Sequence, residues 1–364
     1  MINRLVLENL KHRPIRTLLT VLAIGIQVTM ILTLVGLSRG MVEGAANRSR
    51  SVGFDITVRP PGTSAIGLSS APMSEKMVEF ARNLPHVAMA TGIMVHPVGG
   101  LDTISGIDYT EFKRMSGGYR FLSGGPFEQQ DDILVDEYYA QQKGLKVGDK
   151  LKLANHEWTV RGVFESGKLA RTVVQLPVLQ NLTANTGKIS FVYVKADKPA
   201  NVRTVLDQLK QKLPDYPIYD MEEFLSQISV NRVPGLSQFT KVIVALSVIF
   251  GFLVVFLAMY TAVLERTREI GILKALGATP LYVLNVLLRE TVILALIGTV
   301  IGILLTFGTR WVIMTYYPAT LTQVVVPDWW PIAALTAILG ALLGASYPGL
   351  KAARQDAVEA LAYE

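Results

Sequence analysis

Four runs of apolar positions stand out along the chain. Residues 17–37, 242–264 and 329–350 carry no charged side chain, and a fourth run is uncharged over 291–309, with apolar character beginning near Leu281. Each run, as a helix, can cross a hydrocarbon core about 30 Å thick. Arg289 and Glu290 then fall in the first turns of the third span, where a charge needs a polar partner or a route to the interface. Between the first and second spans the pattern changes. Strand-like alternation at 54–59, 157–164 and 189–194 predicts half-buried strands. Helical periodicity comes between them, at 74–84 with Ser74 as N-cap, at 136–143, at 202–213 and at 221–230. Pro, Gly and Ser crowd residues 57–73, which read as a mobile loop carrying the apolar Ile66 and Leu68.

The pattern predicts a membrane protein with four transmembrane α-helices in a 1+3 arrangement and a large mixed α/β extracytoplasmic domain inserted between the first and second. The expected order is an amphipathic cytoplasmic helix (1–16), the first span (17–38), the extracytoplasmic domain (39–238) and the second span (239–264). A cytoplasmic helix (265–280), the third span (281–309), a short outer loop (310–328), the fourth span (329–350) and a cytoplasmic tail (351–364) follow. The first span is longer than the apolar core of a signal peptide and lacks a small-x-small cleavage pattern, so it reads as a retained anchor.

Composition agrees with a membrane location. Half of the 364 residues are hydrophobic, 18% are charged, and the mean hydropathy is +0.37. The net charge of +6 concentrates beside the spans. Arg4, Lys11, Arg13 and Arg16 precede the first, Arg266, Arg268 and Lys274 separate the second from the third, and Lys351 and Arg354 follow the fourth. Alternating helices put all of these on one side, so the positive-inside rule makes both termini cytoplasmic. No stripe of basic and aromatic residues is present, which argues against nucleic acid as a partner. Trp311, Tyr316, Tyr317, Trp329 and Trp330 suit a headgroup boundary. Ile2, Leu5, Val6 and Asn9 share one face of a short helix that would lie along the inner surface.

Candidate chemistry is sparse. Without cysteine there is no thiolate nucleophile or Cys-based metal site, and His12, His86, His96 and His156 lack ligand spacing. Leu122-Ser-Gly-Gly125 copies the start of the signature loop of ABC ATPases, but a Pro follows it and no G-x-x-x-x-G-K-[ST] cradle occurs; it reads as a Gly-Gly-Pro turn. No nucleophile elbow or paired-carboxylate motif stands out, so no enzyme is expected. Gly298-x-x-x-Gly302 and Gly340-x-x-x-Gly344 allow the third and fourth spans to pack closely. After the second span, Ile270, Leu273 and the Leu276 side alternate with Arg268, Glu269 and Lys274 in a short amphipathic helix stopped by Gly277. Taken alone, this is equally a functional element or an ordinary loop obeying the positive-inside rule.

The segment Glu265-Arg-Thr-Arg-Glu-Ile-Gly-Ile-Leu-Lys-Ala-Leu-Gly277 resembles the hallmark of FtsX-like permeases, the group with MacB-type exporters and lipoprotein-release permeases. The resemblance extends over nearly the whole chain. It takes in Arg16-Thr-Leu-Leu-Thr20, Ile133-Leu-Val-Asp-Glu137, Gly144-Leu-Lys-Val-Gly-Asp149, Val160-Arg-Gly-Val-Phe164 and Tyr347-Pro-Gly-Leu-Lys-Ala-Ala-Arg354. Gln27 within the first span, Gly349 and Ala357 depart from the family pattern. Gln27 is expected to bond within its own chain or across a dimer seam.

The resemblance implies that Arg266, Arg268, Glu269, Ile270, Gly271, Lys274 and Gly277 belong to a coupling helix docking on a cytosolic ABC ATPase. That partner would carry ATP and magnesium, with no cofactor bound by this chain. A second copy or a paralogous permease would complete a dimer in the bacterial cytoplasmic membrane, and a periplasmic adaptor is a further candidate partner. The implied function is export or extraction of a hydrophobic or amphipathic substrate, with motion carried outward by a second span continuous with residues 221–230. The alternative is a mechanotransmission scaffold that regulates a cell-envelope hydrolase or sensor.

Overall fold

The computed structural model describes residues 14–63, 72–99, 102–228 and 236–354. The expected surface helix over residues 2–12, the apolar loop residues Ile66 and Leu68, and Ala357 lie outside them. The chain divides into two compact units. Helix α1 (Pro14–Arg50) begins in the helical unit, and from Arg39 onward its residues count with the sheet unit.

The sheet unit follows in the order β1 (Ile56–Val58), β2 (Met73–Ser74), α2 (Lys76–Arg82), β3 (Val87–Gly99), β4 (Asp102–Ile107), α3 (Tyr109–Ser116), β5 (Phe121–Gly124), β6 (Asp132–Asp136) and α4 (Glu137–Lys143). Then come β7 (Lys150–Leu153), β8 (His156–Phe164), β9 (Thr172–Gln175), α5 (Leu176–Leu182), β10 (Lys188–Ile189), β11 (Phe191–Ala196), α6 (Val202–Lys212), β12 (Ile218–Asp220) and α7 (Met221–Gln227). Among the described residues the main sheet runs β12-β1-β11-β3-β4-β9-β6-β8-β5, with β7 on β8, and β10 pairs β2 separately. It is mixed: β4 and β9 are parallel (Gly106 opposite Val174), as are β6 and β8 (Ile133 opposite Val160), and the remaining pairs are antiparallel.

Strands β1 and β11 are buried on both faces, which corrects the half-buried reading there, while β8 keeps the expected alternation over residues 157–161. Val192 and Val194 pack with residues of α2, α4, α5 and α6, while their neighbours Phe191 and Tyr193 join Phe112 of α3 and Phe224 of α7. Successive strand residues point to opposite faces, so both parities become core when each face is covered. The second layer is aromatic, with Phe54 stacked on Tyr193 at 3.9 Å between ring centroids.

Local chemistry explains several boundaries. Asp136 caps α4 by accepting the Tyr139 N–H at 2.7 Å, and Gly144 ends that helix in the left-handed region at φ 66°. Ser74 is not an N-cap as expected; it lies in β2, and α2 begins at Lys76. Pairing of Met73 and Ser74 with Ile189 and Lys188 claims that stretch for a strand. The expected 221–230 helix stops at Gln227, because Ile228 turns to ψ 58°, and residues 229–235 lie outside the described ones. Met221–Gln227 and the second span are therefore not one helix. Leu122-Ser-Gly of the signature look-alike lies in edge strand β5, where Gly124 at φ 71° leaves no room for a Cβ beside the Arg161 carbonyl.

The helical unit adds α8 (Leu236–Glu265), α9 (Thr267–Ala275), α10 (Pro280–Tyr316) and α11 (Trp330–Arg354). Helices α1, α8, α10 and α11 are long and apolar enough to cross a membrane. The glycine pairs choose different neighbours. A Cβ at Gly298 would lie 2.8 Å from the Ile24 Cβ, and one at Gly302 would lie 2.6 Å from the Gly25 carbonyl oxygen, so α10 packs on α1. A Cβ at Gly344 would lie 2.8 Å from the Phe252 carbonyl oxygen, so α11 packs on α8. Close backbone approach is what small residues permit where lipid offers no hydrophobic drive. Thr29 Oγ1 bridges the first contact, within hydrogen-bond reach of the Gly25 carbonyl at 2.8 Å and the Gly302 carbonyl at 3.0 Å.

Candidate ATPase-coupling site

Helix α9 occupies the connection between α8 and α10, and its sequence explains its length. The chain leaves α8 after Glu265, and Arg266 breaks helical geometry at φ −109°, ψ 13° as the N-cap residue. Thr267 Oγ1 turns back onto the Val263 and Leu264 carbonyls at 3.1 and 3.0 Å, satisfying acceptors that the end of α8 leaves open. At the other end Gly277 adopts φ 93°, and its N–H donates to the Lys274 carbonyl at 2.9 Å.

The side chains sort by burial. Ile270 and Gly271 face inward, and Ile270 joins a core with Val263, Val283, Leu287 and Ala352. Arg266 is also buried: its Nη1 meets Glu290 Oε2 of α10 at 3.1 Å, with side-chain exposures of 8% and 1%. This answers the need for a polar partner noted for Glu290. Arg289, next to it, is exposed and bonds Asn285 Oδ1 at 3.0 Å. Lys274 Nζ donates to the Ala353 carbonyl of α11 at 3.0 Å. Helix α9 is thus tied at its start to α10 and at its end to α11.

Arg268, Glu269, Ile272 and Leu276 remain exposed, Leu276 at 80%. The amphipathic reading is therefore corrected in two places: Leu276 lies on the open side and not the apolar side, and Lys274 turns inward to a carbonyl. Of the residues expected at this site, the fold leaves Arg268, Glu269 and Gly277 open to solvent and uses Arg266, Ile270, Gly271 and Lys274 to hold the helix in place. The exposed Ile272 and the partner Glu290 were not among the expected residues. Their signals were an apolar residue out of phase with the helix and an acid inside a span.

Gln27 is buried at 5%, and its amide packs on Gly251 of α8; its Nε2 has no hydrogen-bond partner among the described residues. No group of His, Cys, Asp and Glu among the described residues is arranged to hold a metal.

The profile of the MacB-like periplasmic core domain matches residues 17–212, and that of the FtsX-like permease C-terminal region matches residues 241–357. The chain belongs to the MacB/FtsX-like permease family. It is 23% identical to an uncharacterized ABC transporter permease of Methanocaldococcus jannaschii, with 82% of this chain and 80% of that protein aligned. It is 25% identical to the macrolide export ATP-binding/permease protein MacB of Hahella chejuensis over 97% of this chain, but spans only 58% of that relative's length. The periplasmic region of MacB from Actinobacillus actinomycetemcomitans superimposes on 49% of the permease, with 94% of that structure covered, at 14% identity and a TM-score of 0.38. The protein is an ABC transporter permease of the MacB/FtsX type, with a large mixed α/β periplasmic domain between its first and later membrane helices.

Proposed function

We propose that this permease couples ATP hydrolysis by a separate cytosolic ABC ATPase to motion of its periplasmic domain, exporting or extracting a hydrophobic or amphipathic substrate. The observation that carries the reading is helix α9, braced inward through Arg266, Ile270 and Lys274 while Arg268, Glu269, Ile272 and Leu276 stay open. A mixed apolar and charged face on a rigidly held helix suits insertion into a partner's groove, since anchors on one helix face give affinity and the flanking charges set register. The relative named for macrolide export supports a substrate of that apolar character. Both termini and α9 face the cytoplasm in this arrangement, and two permeases with two ATPases form the working unit.

The test is affinity purification in mild detergent, with ATPase activity measured for Glu269→Lys and for Gly271→Pro. The first reverses a charge on the open face. The second removes a backbone donor inside α9 and costs about 3 kcal/mol of helix. Both variants are expected to insert normally yet release or uncouple a co-purifying ATPase. Wild-type coupled hydrolysis in both would remove the assignment of α9.

A further inference from the structure

We infer that the buried Arg266–Glu290 ion pair is the pin through which movement of α9 enters the third span. The inference rests on the coupling reading above and names the residues that transmit. Arg266 is the N-cap of α9, and its carbonyl accepts the Ile270 N–H at 2.9 Å, so displacement of the first turn carries Arg266 with it. Its guanidinium meets Glu290 at 3.1 Å, and both side chains are almost wholly withdrawn from solvent. Glu290 lies about 15 Å along α10 from Pro280, at the helical rise of about 1.5 Å per residue. A charge at that depth is costly, and removing either member takes a close opposite charge from the other. Pulling on Arg266 therefore moves α10 before it breaks the pair.

The geometry continues along an inclined i, i+4 ridge of α10. Glu290, Leu294, Gly298 and Gly302 recur at every fourth position, and each is buried. Gly298 and Gly302 are the positions at which α10 locks against Ile24, Gly25 and Val28 of α1. An ionic pin and a steric interlock thus share one ridge, which ends on the helix that runs unbroken from Pro14 to Arg50. This route runs through the third and first spans. Helix α7 ends at Gln227, where Ile228 turns to ψ 58°.

A double-mutant cycle on the full-length permease, purified with its ATPase and reconstituted in phosphatidylethanolamine and phosphatidylglycerol vesicles, tests the pin. Two quantities are read for Glu290→Gln, Arg266→Gln and the double variant: ATPase retained per permease, and permease-dependent stimulation of hydrolysis. Each single variant is expected to lose stimulation by about tenfold or more while retention falls by much less, because the open face of α9 keeps its groups and Ile270 and Lys274 still brace the helix. The double variant is expected to lose no more than the worse single, since groups acting as one unit are not additive. Should a neutral variant fail to insert, Arg266→Lys keeps the charge, loses the fork geometry and is read for the same split. Wild-type stimulation in the single variants, additive losses, or retention falling in step with stimulation would overturn the pin. A wild-type permease that retains no ATPase overturns the coupling reading itself, and the pin with it.

Discussion

At the scale of single residues, space and polarity decide what substitutions do. Gln27 and Gly251 form a side-chain-into-notch contact between α1 and α8, and a methyl group at Gly251 would overlap the amide. Gly251→Ala is therefore expected to lower stability by about 1–3 kcal/mol through overpacking. Adding Gln27→Ala is expected to recover part of that loss by vacating the space. Thermal unfolding in detergent distinguishes the cases, and a double variant no more stable than Gly251→Ala would show that the notch is not the cause. Gln27 was visible in the sequence as a polar residue in a span; that it meets Gly251, remote along the chain, was not. The same holds for Glu290, whose need was legible while its partner Arg266 was set by how α8, α9 and α10 fold back on one another.

At the scale of elements, the glycine spacings announced close helix packing without naming the neighbours. Gly302 touches α1, whereas a Cβ at Gly308, six residues later on α10, would meet open space. Gly302→Ala is expected to destabilise the permease by about 1–3 kcal/mol, while Gly308→Ala is expected to be neutral or mildly stabilising through helix propensity. Comparing the two melting temperatures in one detergent checks this, and equal losses would contradict packing of α10 on α1. Strand assignments show the same division. The alternation in 189–194 marked a strand correctly, but coverage on both faces came from helices and aromatics far away in the chain.

At the scale of the whole molecule, the absence of cysteine from the sequence makes topology directly measurable. Ser123 in β5 and Leu276 after α9 are both exposed. Ser123→Cys is expected to react with a membrane-impermeant maleimide added to intact cells, and Leu276→Cys only after the membrane is opened. Reaction of both from the same side would refute the proposed orientation, and with it the cytoplasmic placement of α9.

What the sequence determined by itself were properties that depend on composition summed over a stretch of chain. Four apolar runs, the basic residues that flank them and the intervening α/β pattern suffice for a 1+3 permease, because transfer into lipid and strand or helix periodicity are local, additive quantities. Tertiary structure decided what depends on which distant residues meet. It turned Arg266 and Lys274 of α9 inward and left Leu276 open, ended α7 before the second span, and buried both parities of β11. It also drew Ala319 and Thr320 into the sheet unit, where their N–H groups donate to Gln142 Oε1 at 3.0 and 3.3 Å. Such pairings follow from three-dimensional packing and from the cost of leaving a buried polar group unmatched, and no local pattern encodes the partner.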